Sequence, residues 1–205
     1  MILDEPRLAR LLARLLPHLD ADNVAITGGI AVELHLRAAG KPPLRDHLAD
    51  VDLVVRRMDA VAVSVSRDLL ISHDHLVQPS VRNAIVQLVD PVSRLRVDIF
   101  HDRAGMVSDA RRHCVAGTEL LVVSAASLLA YKLQMLTKPV DPKHWRDAVA
   151  LSEVCGAVPP ARPTEMVADV YSTDVTLVCE RCELSRSPDF PIARKSEIFE
   201  VIGYV

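Results

Sequence analysis

Asp50 and Asp52 stand two apart in the segment Asp50-Val51-Asp52-Leu53-Val54-Val55, and a third carboxylate, Asp98, lies in a second apolar run, Val97-Asp98-Ile99-Phe100. Carboxylates at i and i+2 of a strand point to one face, where they can share divalent ions. Upstream, Thr27, Gly28 and Gly29 close a short apolar run. A glycine turn at the start of a helix lets backbone N–H groups approach a phosphate, with the helix dipole in support. Such a set suits chemistry on a nucleoside triphosphate. Metal ions held by carboxylates neutralise phosphate charge, align an attacking hydroxyl and stabilise the leaving pyrophosphate. Asp50 and Asp52 are the expected ligands of a triphosphate-bound Mg²⁺, with Mn²⁺ as a substitute, and Asp98 either completes a second metal site or takes the nucleophile's proton. Taken singly, each feature has a plainer reading: a turn, a solvated loop, a cap or an arginine partner. Their order and their apolar surroundings favour chemistry, because a carboxylate buried in a strand needs a metal or a cation beside it.

These residues must be positioned by a small set of elements. Residues 6–16 carry Leu8, Leu11, Leu12, Leu15 and Leu16 at helical spacing, with Arg7, Arg10 and Arg14 on the other face, where a solvated stripe is favoured over a nucleic-acid contact. Residues 23–27 read as a buried strand running into the glycine turn and then a helix from Ile30. Gly40-Lys41-Pro42-Pro43 ends that helix, Val51 to Val55 forms the strand bearing the first two carboxylates, and residues 58–70 suit a helix behind the sheet. Residues 84–90 and 95–100 flank a Pro91-Val92-Ser93-Arg94 turn, a hairpin pattern that brings Asp98 into the sheet. The pattern changes to helices near residue 120, with one from a Ser124 cap to Leu136 and another over residues 142–154. Pro159, Pro160 and Pro163 mark a linker, after which residues 164–178 and 193–202 suit further helices. The expected fold is therefore α/β (α+β), a mixed sheet flanked by helices and followed by a helical C-terminal subdomain. Its divisions are a core over residues 1–120, a helical part over 121–158 that completes a nucleotide cleft, and an extension over 159–205.

Half of the 205 residues are apolar and few are aromatic, so the core must be built from Leu, Val, Ala and Ile. No apolar segment reaches the roughly eighteen residues of a membrane span and the N-terminal residues lack a signal pattern, which leads to the expectation of a cytoplasmic protein without a membrane partner. A formal charge of −3 argues against a surface that is basic throughout, while Arg94 with Arg96, or Arg103 with Arg111 and Arg112, leaves room for local RNA contact. Of the cysteines, only Cys179 and Cys182 have metal-ligand spacing. A structural zinc needs four ligands, and His113 with Cys114 is the nearest pair to complete the set, so two ordinary thiols are favoured over zinc.

The Gly-Gly turn, the helix after it, the D-x-D strand and the later carboxylate strand together resemble the DNA polymerase β-like nucleotidyltransferase superfamily. The gap between Gly29 and Asp50 is closer to the AbiEii and MenT-type toxin nucleotidyltransferases and their bacterial relatives. The likeness continues in Leu128-Leu129-Ala130-Tyr131-Lys132-Leu133, similar to the family's lysine-bearing helix, and in residues 143–151, similar to its K-D/H-x-x-D segment. It implies a Mg²⁺-dependent transfer of NMP from an NTP such as ATP to a hydroxyl acceptor. The acceptor would be a tRNA 3′ end, with an antitoxin protein as partner, or a small molecule as in antibiotic adenylyltransferases. A degenerate protein that binds nucleotide without catalysis is the alternative from another class. It also implies that Lys132 contacts the triphosphate and that Asp147 orients it or neighbouring basic groups. The residues themselves leave open that Lys132 snorkels from a core helix and that Asp147 pairs with Lys143 or Arg146; His144 and Trp145 read as packing residues. The chain departs from the family pattern at Leu48, where a small hydroxyl residue is usual, and in the displacement of an arginine to Arg45.

Overall fold

The computed structural model describes residues 5–47, 50–71, 85–102, 104–136 and 142–163. Helix α1 (Glu5–Leu15) leads to β1 (Val24–Thr27), α2 (Gly28–Ala38) and β2 (Asp50–Val55). Strands β3 (Leu70–Ile71), β4 (Ile85–Val89) and β5 (Arg96–His101) follow, then the one-turn α3 (Met106–Asp109), the hairpin β6 (Arg111–Val115) and β7 (Thr118–Val122), and helices α4 (Ala125–Met135) and α5 (Pro142–Cys155). The strands form one mixed seven-stranded sheet in the order β3-β4-β5-β2-β1-β7-β6. Helices α4 and α5 pack on each other and on α2. This is the mixed α/β architecture expected from the sequence.

Residues directly opposite in register share a face of a sheet, and the pairing of the central strands sorts the two faces cleanly. Ile26 opposes Leu53 on the face covered by α1, where Leu12 and Leu15 line a small apolar cavity against them. Leu8, Leu11, Leu12 and Leu15 are fully buried there; burying each is worth about 1.5–3 kcal/mol. The arginines of α1 are only partly the solvated stripe expected. Arg7 donates to the Ser93 carbonyl from Nε at 3.0 Å and Nη2 at 2.8 Å, and Arg14 Nε bonds the buried Asp90 at 3.0 Å. The helix thus clamps the β4–β5 turn, whose Ser93 N–H is also held by Asp90 at 2.9 Å.

Two segments differ from the sequence expectation. Residues 58–70 form no α-helix but two 3-10 turns, Met58–Ala60 and Val63–Arg67, before β3. Val61, Val63 and Val65 recur at a spacing of two, and β-branched residues interleaved with Ser64, Ser66 and Asp68 disfavour a helix. Ser64 and Asp68 instead bind the two ring nitrogens of His18, at 2.9 and 2.7 Å. The β6–β7 hairpin was not expected at all. Ala116 and Gly117 both adopt positive φ (48° and 82°), the backbone of a two-residue hairpin turn. Ser124 caps α4 as expected, accepting the Ser127 N–H at 3.2 Å and donating to Asp109. The helices expected over 164–178 and 193–202 lie outside the described residues, as do Cys179 and Cys182. Among the described residues no helix is long and apolar enough to cross a membrane.

Candidate active site

On the face away from α1, the register lines up Thr27, Asp52, Asp98 and Gln87 in one row across β1, β2, β5 and β4. The next row pairs Asp50 with Arg96. The alternation of apolar and charged residues in β2 and β5 makes this happen: Val51, Leu53, Val97 and Ile99 fill the core on one side and force their neighbours to the other. Asp50, Asp52 and Asp98 therefore converge on one patch of the sheet.

The end of β1 is built around Asp52. Gly28 has φ +62°, and a Cβ added there would overlap the Asp52 carboxylate and stand 2.6 Å from Asp52 Cβ. Only glycine lets the first turn of α2 approach the carboxylate this closely. Thr27, the N-cap of α2, makes no side-chain cap bond. Gly28→Ala is expected to lose about 2–4 kcal/mol in urea denaturation, the sum of left-handed strain and displaced Asp52. A loss below 1 kcal/mol would show that this contact is slack.

The charges do not cancel. Burial, followed by the nearby Asp50 and Asp98, pushes the Asp52 carboxyl up to about 7, with Lys132 and Arg96 acting in the opposite sense. Burial likewise lifts Asp98 to about 6, reinforced by Asp50 and opposed by Arg96 and Gln87. Arg96 Nη2 reaches Asp50 at 2.8 Å and Asp98 at 3.2 Å. Asp98 Oδ1 is nevertheless buried without a hydrogen-bond partner among the described residues.

Behind this patch lies a second buried cluster. Lys132 on α4 is 5% exposed; its ammonium meets Asp147 on α5 at 2.8 Å and donates to His144 Nδ1 at 3.3 Å. Asp147 also accepts two bonds from Arg45 Nη2, at 2.7 and 2.9 Å, while Arg45 Nη1 reaches the buried Glu33 of α2 at 3.1 Å. Burial works against the Arg45 charge, but Asp147 and Glu33 outweigh it and raise its pKa. Asp147 is thus turned inward to residues distant in sequence rather than to Lys143 or Arg146, and His144 is a polar contact of Lys132 rather than packing alone. Trp145 packs at the edge, under the Arg162 guanidinium at 5.6 Å. The partly exposed Tyr131 phenol has its pKa raised by burial and by Asp52.

The sequence reading missed Arg96 as a site residue, along with Arg45, Glu33, Gln87 and Tyr131. Arg96 had the same i, i+2 relation to Asp98 that links Asp50 to Asp52, a signal that it shares their face. Of the suggested basic patches, Arg96 is turned inward, Arg103 lies outside the described residues, and Arg112 pairs with Asp22 at 2.7 Å. His113 stacks edge-on with His35 at 5.6 Å, and the neighbouring Cys114 is a free, exposed thiol.

Three carboxylates are a hard oxygen donor set of the kind Mg²⁺ takes, and an orphaned buried oxygen on one of them suits a cation. As the side chains stand, no three His, Cys, Asp or Glu residues among the described residues form a metal-holding group, and Arg96 bridges Asp50 and Asp98.

No protein-family model and no curated protein matches this sequence. Among solved structures, an antigenic nucleotidyltransferase-like protein from Paracoccidioides brasiliensis is similar at 17% identity and a TM-score of 0.41, over 97% of this chain and 94% of that one. At that identity and TM-score the likeness establishes neither activity nor substrate.

Proposed function

We propose that the protein is a metal-dependent nucleotidyltransferase that moves an NMP group from an NTP to a hydroxyl acceptor. The observation that carries this reading is the in-register convergence of Asp50, Asp52 and Asp98 against the glycine-led start of α2. Bound Mg²⁺, held by Asp50, Asp52 and Asp98, would supply charge neutralisation at the phosphates. The Gly28-Gly29 backbone faces the phosphates with its N–H groups, aided by the α2 dipole. Lys132, ion-paired with Asp147, would contact the triphosphate from α4, so that residues 121–158 complete the nucleotide cleft. Asp98 would either complete that metal site or take the proton of the acceptor hydroxyl as its oxygen attacks the α-phosphorus and pyrophosphate departs.

The acceptor is assigned only as a hydroxyl. A tRNA 3′ end, as in a toxin of a toxin–antitoxin pair, rests on the sequence resemblance; a small-molecule hydroxyl is the other choice. The test is purified wild type beside Asp52→Ala, each with Mg²⁺, four labelled NTPs and either total tRNA or a panel of aminoglycosides. Label transfer and pyrophosphate release by wild type alone are expected. Equal transfer by both proteins would reject the mechanism. NTP binding by the wild type without pyrophosphate release would favour a second reading, binding without transfer, to which the Arg96 bridge across Asp50 and Asp98 also lends itself.

A further inference from the structure

Arg96 is 12% exposed in its side chain, and it contacts both carboxylates through Nη2 alone. An arginine built as a permanent bridge presents two nitrogens to a carboxylate, whose planar fork it matches. Here half of that fork is idle: Arg96 Nε, Asp98 Oδ1 and Gln87 Oε1 are the buried side-chain polar atoms without a hydrogen-bond partner among the described residues. All three belong to neighbouring positions of β4 and β5, since Gln87 opposes Asp98. A buried polar group without a hydrogen-bond partner is costly, so this patch is held in an incompletely satisfied state. Asp98 is itself 6% exposed.

We propose that Arg96 is a resident counter-cation, its guanidinium occupying the place between Asp50 and Asp98 that a divalent ion must take, so that metal entry requires Arg96 to leave. This inference rests on the reading of Asp50, Asp52 and Asp98 as metal ligands. Physically, the guanidinium and a divalent ion compete for the same carboxylate lone pairs, and both cannot be satisfied at once. The arginine is the weaker competitor because it uses one nitrogen and leaves an acceptor on Asp98 unmet. Its long, flexible stem and residual exposure allow the guanidinium to swing away from the carboxylates. Metal affinity without nucleotide is thereby set low, and the carboxylates are held together until an ion arrives with its triphosphate.

The test is Mn²⁺ binding, read by electron paramagnetic resonance of the free ion, for wild type, Arg96→Met, Arg96→Lys and Asp98→Asn without nucleotide. Arg96→Met, which keeps the volume and removes the competing charge, is expected to bind Mn²⁺ about tenfold more tightly than wild type. Arg96→Lys should stay near wild type and Asp98→Asn should bind more weakly. Equal or weaker binding by folded Arg96→Met than by wild type overturns the proposal while leaving the metal reading intact. Absence of binding by both overturns the proposal and that reading together. Should Arg96→Met fail to fold, the Arg96 Nε–H resonance of the wild type decides. A shift and faster solvent exchange on adding Mg²⁺ support displacement, and an unmoved resonance at saturating Mg²⁺ overturns it.

Discussion

Asp52→Asn is expected to abolish transfer and, at pH 8, to make the protein more stable. The loss of activity should be at least about a thousandfold, equivalent to roughly 4 kcal/mol of transition-state stabilisation, because the variant keeps the shape of the site and removes one of its anionic ligands. The gain in stability follows from the raised carboxyl pKa. Asp52 is held at about 7 in the folded protein by burial and by Asp50 and Asp98, against 3.8 ordinarily. Between those values the folded state binds more protons than the unfolded chain, so stability falls as pH rises from about 4 to about 7 and stays low above that. Asparagine has no charge to bury. Its advantage should be absent near pH 4, grow through that window, and reach on the order of 2 kcal/mol above it after discounting for solvent screening. For a chain of this size, that is about 5 °C in melting temperature. Mg²⁺ should stabilise the wild type at pH 8 and have much less effect on the variant. Thermal melts at pH 4.5 and 8, with and without Mg²⁺, check each statement. A variant less stable than wild type at pH 8 would mean that Lys132 and Arg96 already neutralise Asp52, and that the site has no unmet demand for a cation.

The carboxylates of this site could be found in the sequence because their strands alternate. Val51, Leu53, Val97 and Ile99 point to the core, so Asp50, Asp52 and Asp98 had to point the other way. Gly28 was legible for a related reason, since a glycine pair at the junction of a strand and a helix marks a close approach of backbone. That the approach is to Asp52 itself depends on the antiparallel pairing of Thr27 with Asp52, which no local pattern encodes. Arg96 was misread because an arginine next to a turn usually faces water; only the parallel register of β2 and β5 sets it opposite Asp50. Arg45 and Glu33 were hidden in the same way. A buried glutamate on the apolar α2 is intelligible once the loop that follows brings back an arginine and the Leu44 N–H, both of which bond it. The β6–β7 hairpin escaped notice because Arg111, Arg112 and His113 show no apolar alternation. That strand is at the sheet edge, where charge blunts pairing with other chains.

The second large effect is expected in the stability of the protein, at Asp147. Its carboxylate is 2% exposed and takes Arg45 on one side and Lys132 on the other, linking the loop after α2 to α4 and α5. Removing one partner of a buried ion pair leaves the others uncompensated, and the usual loss is about 3–5 kcal/mol. Asp147→Ala should therefore lower the urea midpoint severely at pH 7, since that figure is a large share of the stability of an ordinary domain. Most of the loss would come from Lys132, whose remaining hydrogen-bond partner among the described residues is His144 at 3.3 Å, because Arg45 retains Glu33 and is better hydrated. The double variant Asp147→Ala/Lys132→Met discriminates between causes. If the orphaned ammonium dominates, removing it should restore about 1–3 kcal/mol relative to Asp147→Ala, a coupling far above what separated residues show. If Asp147 instead made only exposed pairs along its own helix, as Lys143 and Arg146 at neighbouring positions invite, the single change would cost under 1 kcal/mol and the double would be additive. Asp147→Asn separates position from charge. It can still accept from Arg45, so it should keep more stability than the alanine variant while leaving Lys132 without its counter-charge.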